Sequence, residues 1–170
     1  MFTAIAREGR VAVLLRALAF AAIAGGVLRG FDSFAATLLA AAPLGQLYFA
    51  TDVLLLLGIA GVYASRRTEI GIAGTIGSAI FAAGILVVRV SAVLGPNGYQ
   101  LGAAIALLGL AILSGETLLR RQSGTVSAVL WLLALALGIA STFGSSALAI
   151  AAGLAFAAGF VAAGIEILAV

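Results

Sequence analysis

The sequence predicts an all-α, polytopic integral membrane protein that folds as a six-transmembrane-helix bundle with short loops. Hydrophobic residues make up 64% of the 170 residues, charged residues only 9%, and the mean hydropathy is +1.29. Soluble domains carry about 25% charged residues, so this chain has too little charge to cover a surface that faces water. The apolar stretches also run on without alternating with polar residues, which favours membrane helices over a β-barrel.

Each predicted helix is an apolar stretch near the roughly 20 residues that a helix needs to cross a bilayer. Polar or turn-forming sequences separate most of them, at residues 66–69, 95–98 and 120–124. The break at 143–146 is the weakest. We predict it because a single helix over 125–168 would be far too long to cross once. The single transmembrane domain, 1–170, therefore has predicted helices at 11–29, 47–64, 70–93, 99–119, 125–143 and 147–168.

The segment between the first two spans is too long for a tight turn. Asp32 and Ser33 can cap a short interfacial helix over 33–42, and Pro43 can end it. An ordered loop is the alternative. The N-terminus is similar to a signal peptide, but Arg16 interrupts its apolar core, so we expect an uncleaved first helix.

Arginine placement predicts the orientation. All nine basic residues are arginine, and most lie at the ends of predicted helices, which leaves no basic face for nucleic acid. If the N-terminus is cytoplasmic, the pairs Arg66–Arg67 and Arg120–Arg121 also fall in the cytoplasm, as the positive-inside rule requires. Arginine use without lysine, with abundant Ala and Gly, is typical of a GC-rich bacterial genome. We therefore expect a multi-pass protein of the bacterial inner (plasma) membrane with both termini cytoplasmic.

Missing residue types exclude several kinds of chemistry. The chain has no histidine, cysteine or lysine, and its single methionine is Met1. Zinc sites of the Cys/His type, Ser–His–Asp triads and lysine Schiff bases therefore cannot be built, and the usual haem ligands are missing. We predict no catalytic residue, no cofactor and no metal site. An integral membrane enzyme would have to rely on carboxylates alone, with Glu116 and Glu166 as the candidates.

Charges inside the apolar stretches are the main candidate functional residues, because they are costly there and often functional. Asp52 on the second helix and Arg89 on the third lie at similar depths, and we predict that they pair. Arg29 and Asp32 can join them at the rim. The pair could fix the helix register, form a substrate or proton site, or separate, with each side chain reaching the headgroups independently.

A second group of charges is predicted near the opposite membrane face. Arg16, Glu116 and Glu166 lie at similar depths on the first, fourth and sixth helices. They could form a carboxylate pair that Arg16 stabilises and that carries a proton or cation. The alternative is that each side chain simply reaches the cytoplasmic interface.

Small residues at every fourth position form ridges, the first being Ala17, Ala21 and Gly25. Such ridges let helix backbones approach closely, either within one chain or against a membrane protein partner or a second copy. In size, helix number and this first-helix ridge, the chain resembles the substrate-binding subunits of energy-coupling-factor vitamin transporters. That resemblance implies docking to a coupling partner through helix one.

The favoured functional hypothesis is a transport protein or the substrate-binding membrane subunit of a transporter, set in the lipid bilayer. The alternative is a structural or assembly subunit of a larger membrane complex. It would explain the missing catalytic groups and the minimal loops.

The predicted orientation can be tested with single cysteines, since the chain has no native cysteine. Cysteines replacing Asn97 and Ser123 lie on opposite sides of the membrane in this topology. A membrane-impermeant thiol reagent on intact cells is expected to label position 97 and spare position 123. The reverse pattern would show that the predicted orientation is wrong.

Overall fold

The computed structural model describes residues 2–38, 41–91 and 97–169, and within them the chain is helical and contains no strands. The six helices are α1 (Phe2–Leu38), α2 (Ala41–Ser65), α3 (Ile72–Arg89), α4 (Gly98–Leu119), α5 (Thr125–Ser141) and α6 (Ser146–Leu168).

The predicted helical membrane class is confirmed, with six helices in the described residues. Five helices are apolar and long enough to cross a membrane. The apolar helix α5 has 17 residues. At about 1.5 Å per residue it reaches about 26 Å, somewhat less than the about 30 Å hydrocarbon core. Many large apolar side chains lie exposed on the outside of the bundle, as expected for a surface that contacts lipid.

The first helix differs most from its predicted bounds. α1 runs without interruption to Leu38, so residues 33–38 extend it instead of starting the separate interfacial helix predicted over 33–42. Asp32 and Ser33 lie inside α1 because apolar residues on both sides let the helical hydrogen bonds continue. Pro43 lies in the first turn of α2, where its missing N–H interrupts no helical hydrogen bond. Residues 95 and 96 of the predicted turn over 95–98 lie outside the described residues, whereas Asn97 is the N-cap of α4 and Gly98 is its first residue.

The helices pack in the order of the chain and form a ring. Each helix contacts the next, α6 returns to contact α1, and α6 also contacts α2 across the ring. The contact between α3 and α4 is the most extensive, whereas α2 and α3 touch only lightly. The break between α5 and α6 is present, and the Ser145 hydroxyl caps α6 by accepting a hydrogen bond from the Leu148 amide at 3.4 Å.

Glycines allow α3 and α4 to approach at the backbone. A Cβ added to Gly77 would lie 2.7 Å from the Gly109 carbonyl oxygen, and one added to Gly109 would collide with the backbone of Phe81. Gly84 faces the Ala106 backbone in the same way. Because real side chains do not tolerate such distances, this interface depends on the absence of side chains at these positions.

Aromatic side chains fill the centre of the ring. Phe81 of α3, Trp131 of α5 and Phe160 of α6 are almost completely buried. The Phe160 ring centroid lies 5.2 Å from that of Trp131 and 5.5 Å from that of Phe81. Aromatic contacts at these separations add to the stabilisation from buried apolar area. They join α3, α5 and α6 into one core.

The ridge on the first helix packs within the chain along much of its length. Ala21 is buried, and a Cβ added to Gly25 would lie 3.0 Å from the Leu54 Cβ of α2, whereas Ala17 is exposed. Neighbouring Gly26 packs against Ala157 of α6. The ridge therefore serves mainly to pack α1 against its neighbours in the bundle.

Two glycines of α4 offer a matched test of this packing. Gly109→Ala is expected to lower the unfolding temperature in detergent, because overpacking costs typically about 1–3 kcal/mol. Gly115→Ala is the control, since a Cβ at Gly115 meets nothing within 4 Å. Alanine is the better helix former, so the control is expected to be neutral or stabilising. Equal effects of the two substitutions would contradict the close α3–α4 contact.

Candidate functional site

The two ends of the bundle carry different sets of charges. The turns that hold the pairs Arg66–Arg67 and Arg120–Arg121 define one end, called here the arginine-pair end. A group at the other end is called here the distal cluster; its members are Arg29, Asp32, Asp52, Arg89 and Tyr99. Four helices contribute to this cluster, so it forms only when the ring closes.

The structure brings Asp52 and Arg89 together, as the sequence predicts. The Arg89 Nη1 and Asp52 Oδ2 atoms lie 3.7 Å apart. The Asp52 side chain is 17% exposed and that of Arg89 is 41% exposed, so the pair is open on one side. Arg89 also lies over the Phe49 ring, 4.6 Å from its centroid, in a cation–π arrangement.

Arg29 and Asp32 extend the cluster onto α1. The two side chains lie one turn apart, with Arg29 Nη1 3.7 Å from Asp32 Oδ2. Arg29 donates its hydrogen bond elsewhere, to the Tyr99 hydroxyl of α4 at 3.0 Å. Its guanidinium also lies over the Phe156 ring of α6, 5.9 Å from the centroid. Arg29 therefore connects α1 with both α4 and α6.

Asp32 is the least satisfied polar group of the distal cluster. The residue is 7% exposed, and neither carboxylate oxygen receives a hydrogen bond from any described residue. Burial of an ionised carboxylate without hydrogen-bond donors is costly, and buried polar groups in proteins are generally hydrogen-bonded. Asp32 is therefore a candidate for a group that binds something.

The arginine-pair end holds a different arrangement, in which carboxylates cap helices. Glu116 of α4 accepts hydrogen bonds from the Gly71 amide at 3.0 Å and from the Gly74 amide, and it pairs with Arg120 at 2.9 Å. The N-cap of α3 is Gly71, which has no side chain to satisfy these amides. Glu116 thus supplies the cap from the neighbouring helix and places negative charge at the positive end of α3.

Glu166 does the same for α5. Its Oε1 accepts hydrogen bonds from the Val126 and Ser127 amides at 3.1 and 3.2 Å, and Oε2 accepts one from the Ser127 hydroxyl at 2.7 Å. The N-cap of this helix is again a glycine, Gly124, with φ of 92°. In spacing, Gly109 and Glu116 of α4 match Gly159 and Glu166 of α6, so α3–α4 and α5–α6 are similar hairpins.

Arg66 completes the Glu166 site. It lies in the turn beyond α2, is only 3% exposed, and donates to Glu166 Oε2 at 2.9 Å. Burial lowers the pKa of the Arg66 guanidinium from its ordinary value, and the Glu166 carboxylate opposes that shift. This contact ties the α2–α3 turn to α5 and α6.

The structure does not form the carboxylate pair with Arg16 that was one of the two alternatives for the second group. Glu116 and Glu166 have separate partners, and the Arg16 side chain is exposed and forms no salt bridge with any described residue. Similar depth did not bring these residues together, because each carboxylate is drawn to an uncapped helix start beside it. As caps, both glutamates have a structural explanation, which weakens the hypothesis of carboxylate enzyme chemistry.

A cavity of about 470 Å³ also lies at the arginine-pair end. The loops after α2 and α4 meet there, and the Glu69 carboxylate accepts hydrogen bonds from the amide and hydroxyl of Ser123. Gln122 donates to the Glu69 carbonyl. The lining residues are Glu69, Arg120, Arg121, Gln122 and Ser123.

Sequence reasoning found the distal charges but missed several of their partners. The positions of Tyr99 and Phe49 in the sequence are typical of an aromatic belt at the membrane interface, yet each side chain contacts an arginine of the distal cluster. Arg66 has the appearance of an exposed loop residue because Arg67 follows it, and only the packing shows that it is buried. Within the described ranges, no group of three or more Asp, Glu, His or Cys side chains could hold a metal ion.

Comparison of the chain with protein-family models, with curated proteins and with solved structures gives no match.

Double-mutant cycles can compare the two interhelical ion pairs. Asp52→Asn and Arg89→Gln are each expected to lower the unfolding temperature in detergent, and the double variant is expected to lose less than the sum. Arg66→Gln and Glu166→Gln are expected to show larger single losses. Removing one member of a well-buried pair costs roughly 3–5 kcal/mol, and Arg66 is far more buried than Arg89.

Additive losses in the first cycle would mean that Asp52 and Arg89 do not interact. Equal coupling energies for the Asp52–Arg89 and Arg66–Glu166 pairs would contradict the expectation that the more buried pair interacts more strongly.

Proposed function

We propose that the chain is a membrane transport protein, or the substrate-binding membrane subunit of a transporter, that uses the distal cluster to bind a small ionic solute. The observation that carries this proposal is the buried Asp32 carboxylate without a hydrogen-bond donor, beside a partly open Asp52–Arg89 pair. A purely structural ion-pair network would gain stability by satisfying every member. At the arginine-pair end, single atoms of two buried side chains, Arg66 Nη1 and Gln122 Oε1, lack a hydrogen-bond partner among the described residues. At Asp32 both carboxylate oxygens do, and this favours binding at the distal cluster.

The contrast between the two ends supports the same function. At the arginine-pair end, Glu116 and Glu166 are both hydrogen-bonded to helix starts and paired with arginines. At the distal end, Asp32 accepts no hydrogen bond from the described residues, and the contact of Asp52 with Arg89 is 3.7 Å long. The distal carboxylates are therefore the ones that lack close partners, which supports binding of a solute at that end.

The cellular location of the chain and its orientation in the membrane are part of the proposed function. The arginine distribution supports a bacterial inner membrane with both termini cytoplasmic, which would place the distal cluster toward the outside. A solute would then enter the cluster from the outer face.

Charge movement on solid-supported membranes tests the proposal. Proteoliposomes that contain the purified chain are expected to give transient currents on a jump in pH, sodium or potassium, and protein-free liposomes none. Asp52→Asn is expected to reduce the current at least about tenfold, the equivalent of about 1.4 kcal/mol of lost interaction. Glu69→Gln is the matched control, because it removes one carboxylate at the opposite end.

Absence of current for all three ions, with the chain isolated in a stoichiometric complex with other membrane proteins, would favour the structural or assembly subunit instead. A current of equal size in Asp52→Asn and Glu69→Gln would remove the distal cluster from the mechanism.

A further inference from the structure

Asp32 and Glu116 are equally buried carboxylates with opposite surroundings. Each residue is 7% exposed. Glu116 accepts two backbone hydrogen bonds and lies 2.9 Å from the Arg120 Nε. Asp32 accepts none from the described residues, and its nearest charge, Arg29 Nη1, lies at 3.7 Å, beyond hydrogen-bond distance. Thr51 also faces Asp32, but its hydroxyl donates to the Leu47 carbonyl at 3.0 Å. At equal burial, Glu116 therefore has close hydrogen-bond donors, whereas the Asp32 carboxylate has only longer contacts with Arg29 and Thr51.

The groups that face Asp32 do not supply a cation site. Arg29 lies on its own helix, and α2 contributes Thr51, Asp52 and Tyr48 on the same side of the cluster. Arg89 of α3 pairs with Asp52, and Tyr99 of α4 accepts the hydrogen bond of Arg29. On α6 the apolar Phe156 ring lies against the Arg29 guanidinium of the same cluster. A metal cation needs several oxygen ligands, and no group of three or more Asp or Glu side chains among the described residues could hold one, whereas a proton needs no such set.

We propose that Asp32 is a proton-binding site, and that the bound proton is the ion whose exchange the distal cluster supports. The proton removes the cost of burying the charge. On release, the Asp32 O–H bond breaks, the proton passes to water at the distal end, and the carboxylate takes Arg29 as its counter-ion. Arg29 can become the counter-ion because its guanidinium, which donates to the Tyr99 hydroxyl, already lies 3.7 Å from the Asp32 carboxylate. This inference rests on the proposed transport function for its role, but not for the binding itself.

Infrared spectroscopy of the purified wild-type protein in lipid tests the inference directly. A carboxylic-acid carbonyl band is expected at neutral pH, and it should shift when aspartate carrying ¹³C in its side-chain carboxyl is incorporated. The band should disappear in Asp32→Asn and persist in Glu116→Gln, the matched control of equal burial. Asp52→Asn should also keep it. Since the chain has only two aspartates, Asp52→Asn protein labelled with this ¹³C-aspartate assigns the band to Asp32 even if Asp32→Asn fails to fold.

Absence of an acid band at neutral pH, or its loss in Asp52→Asn, would overturn the proposal. So would a band that does not shift with labelled aspartate. These results are separate from the transport assay. An Asp32 band without ionic currents would support the proton site and contradict transport. Sodium currents without the band would support transport and contradict the proton site.

Discussion

Each backbone amide and carbonyl in a bilayer must find its partner within the protein, and this constraint governs the whole chain. Helices satisfy it along their length but leave their first amides free. α3 and α5 both begin after a glycine, which has no side chain to cap those amides. Glu116 and Glu166 cap them from the adjacent helices. The two glutamates therefore join successive helices at the same time as they complete the helices themselves.

Glycine packing and carboxylate capping act together in the two similar hairpins. In α3–α4, Gly109 brings the backbones into contact while Glu116 reaches the start of α3. In α5–α6, Gly159 accommodates the Trp131 ring while Glu166 reaches the start of α5. Helices at a larger separation would leave these carboxylates short of the amides. The small residues thus position the polar contacts as well as the apolar ones.

The distal cluster differs from these sites because its charges are not matched one to one. Arg29 is shared between Tyr99, the Phe156 ring and the neighbourhood of Asp32. Arg89 is shared between Asp52 and the Phe49 ring. A guanidinium with several weak partners can change partner at low cost, since no single strong contact has to be broken. A site that exchanges an ion needs this ability, whereas a purely structural ion pair does not. It is the physical basis of the proposed function.

The membrane class, the six helices and the relative depth of each charge along its helix can all be predicted from the amino-acid sequence. These follow from apolar runs, turn residues and a rise of about 1.5 Å per residue, all of which are local. Depth sufficed to pair Asp52 with Arg89. Depth did not predict the partners of Arg16, Glu116 and Glu166, because it does not determine which neighbouring helix a side chain faces. Packing of the helices into the ring places Glu116 at α3 and Glu166 at α5, buries Arg66, and leaves the Asp32 carboxylate without a hydrogen bond from the described residues. Those outcomes depend on contacts between helices that are distant along the chain.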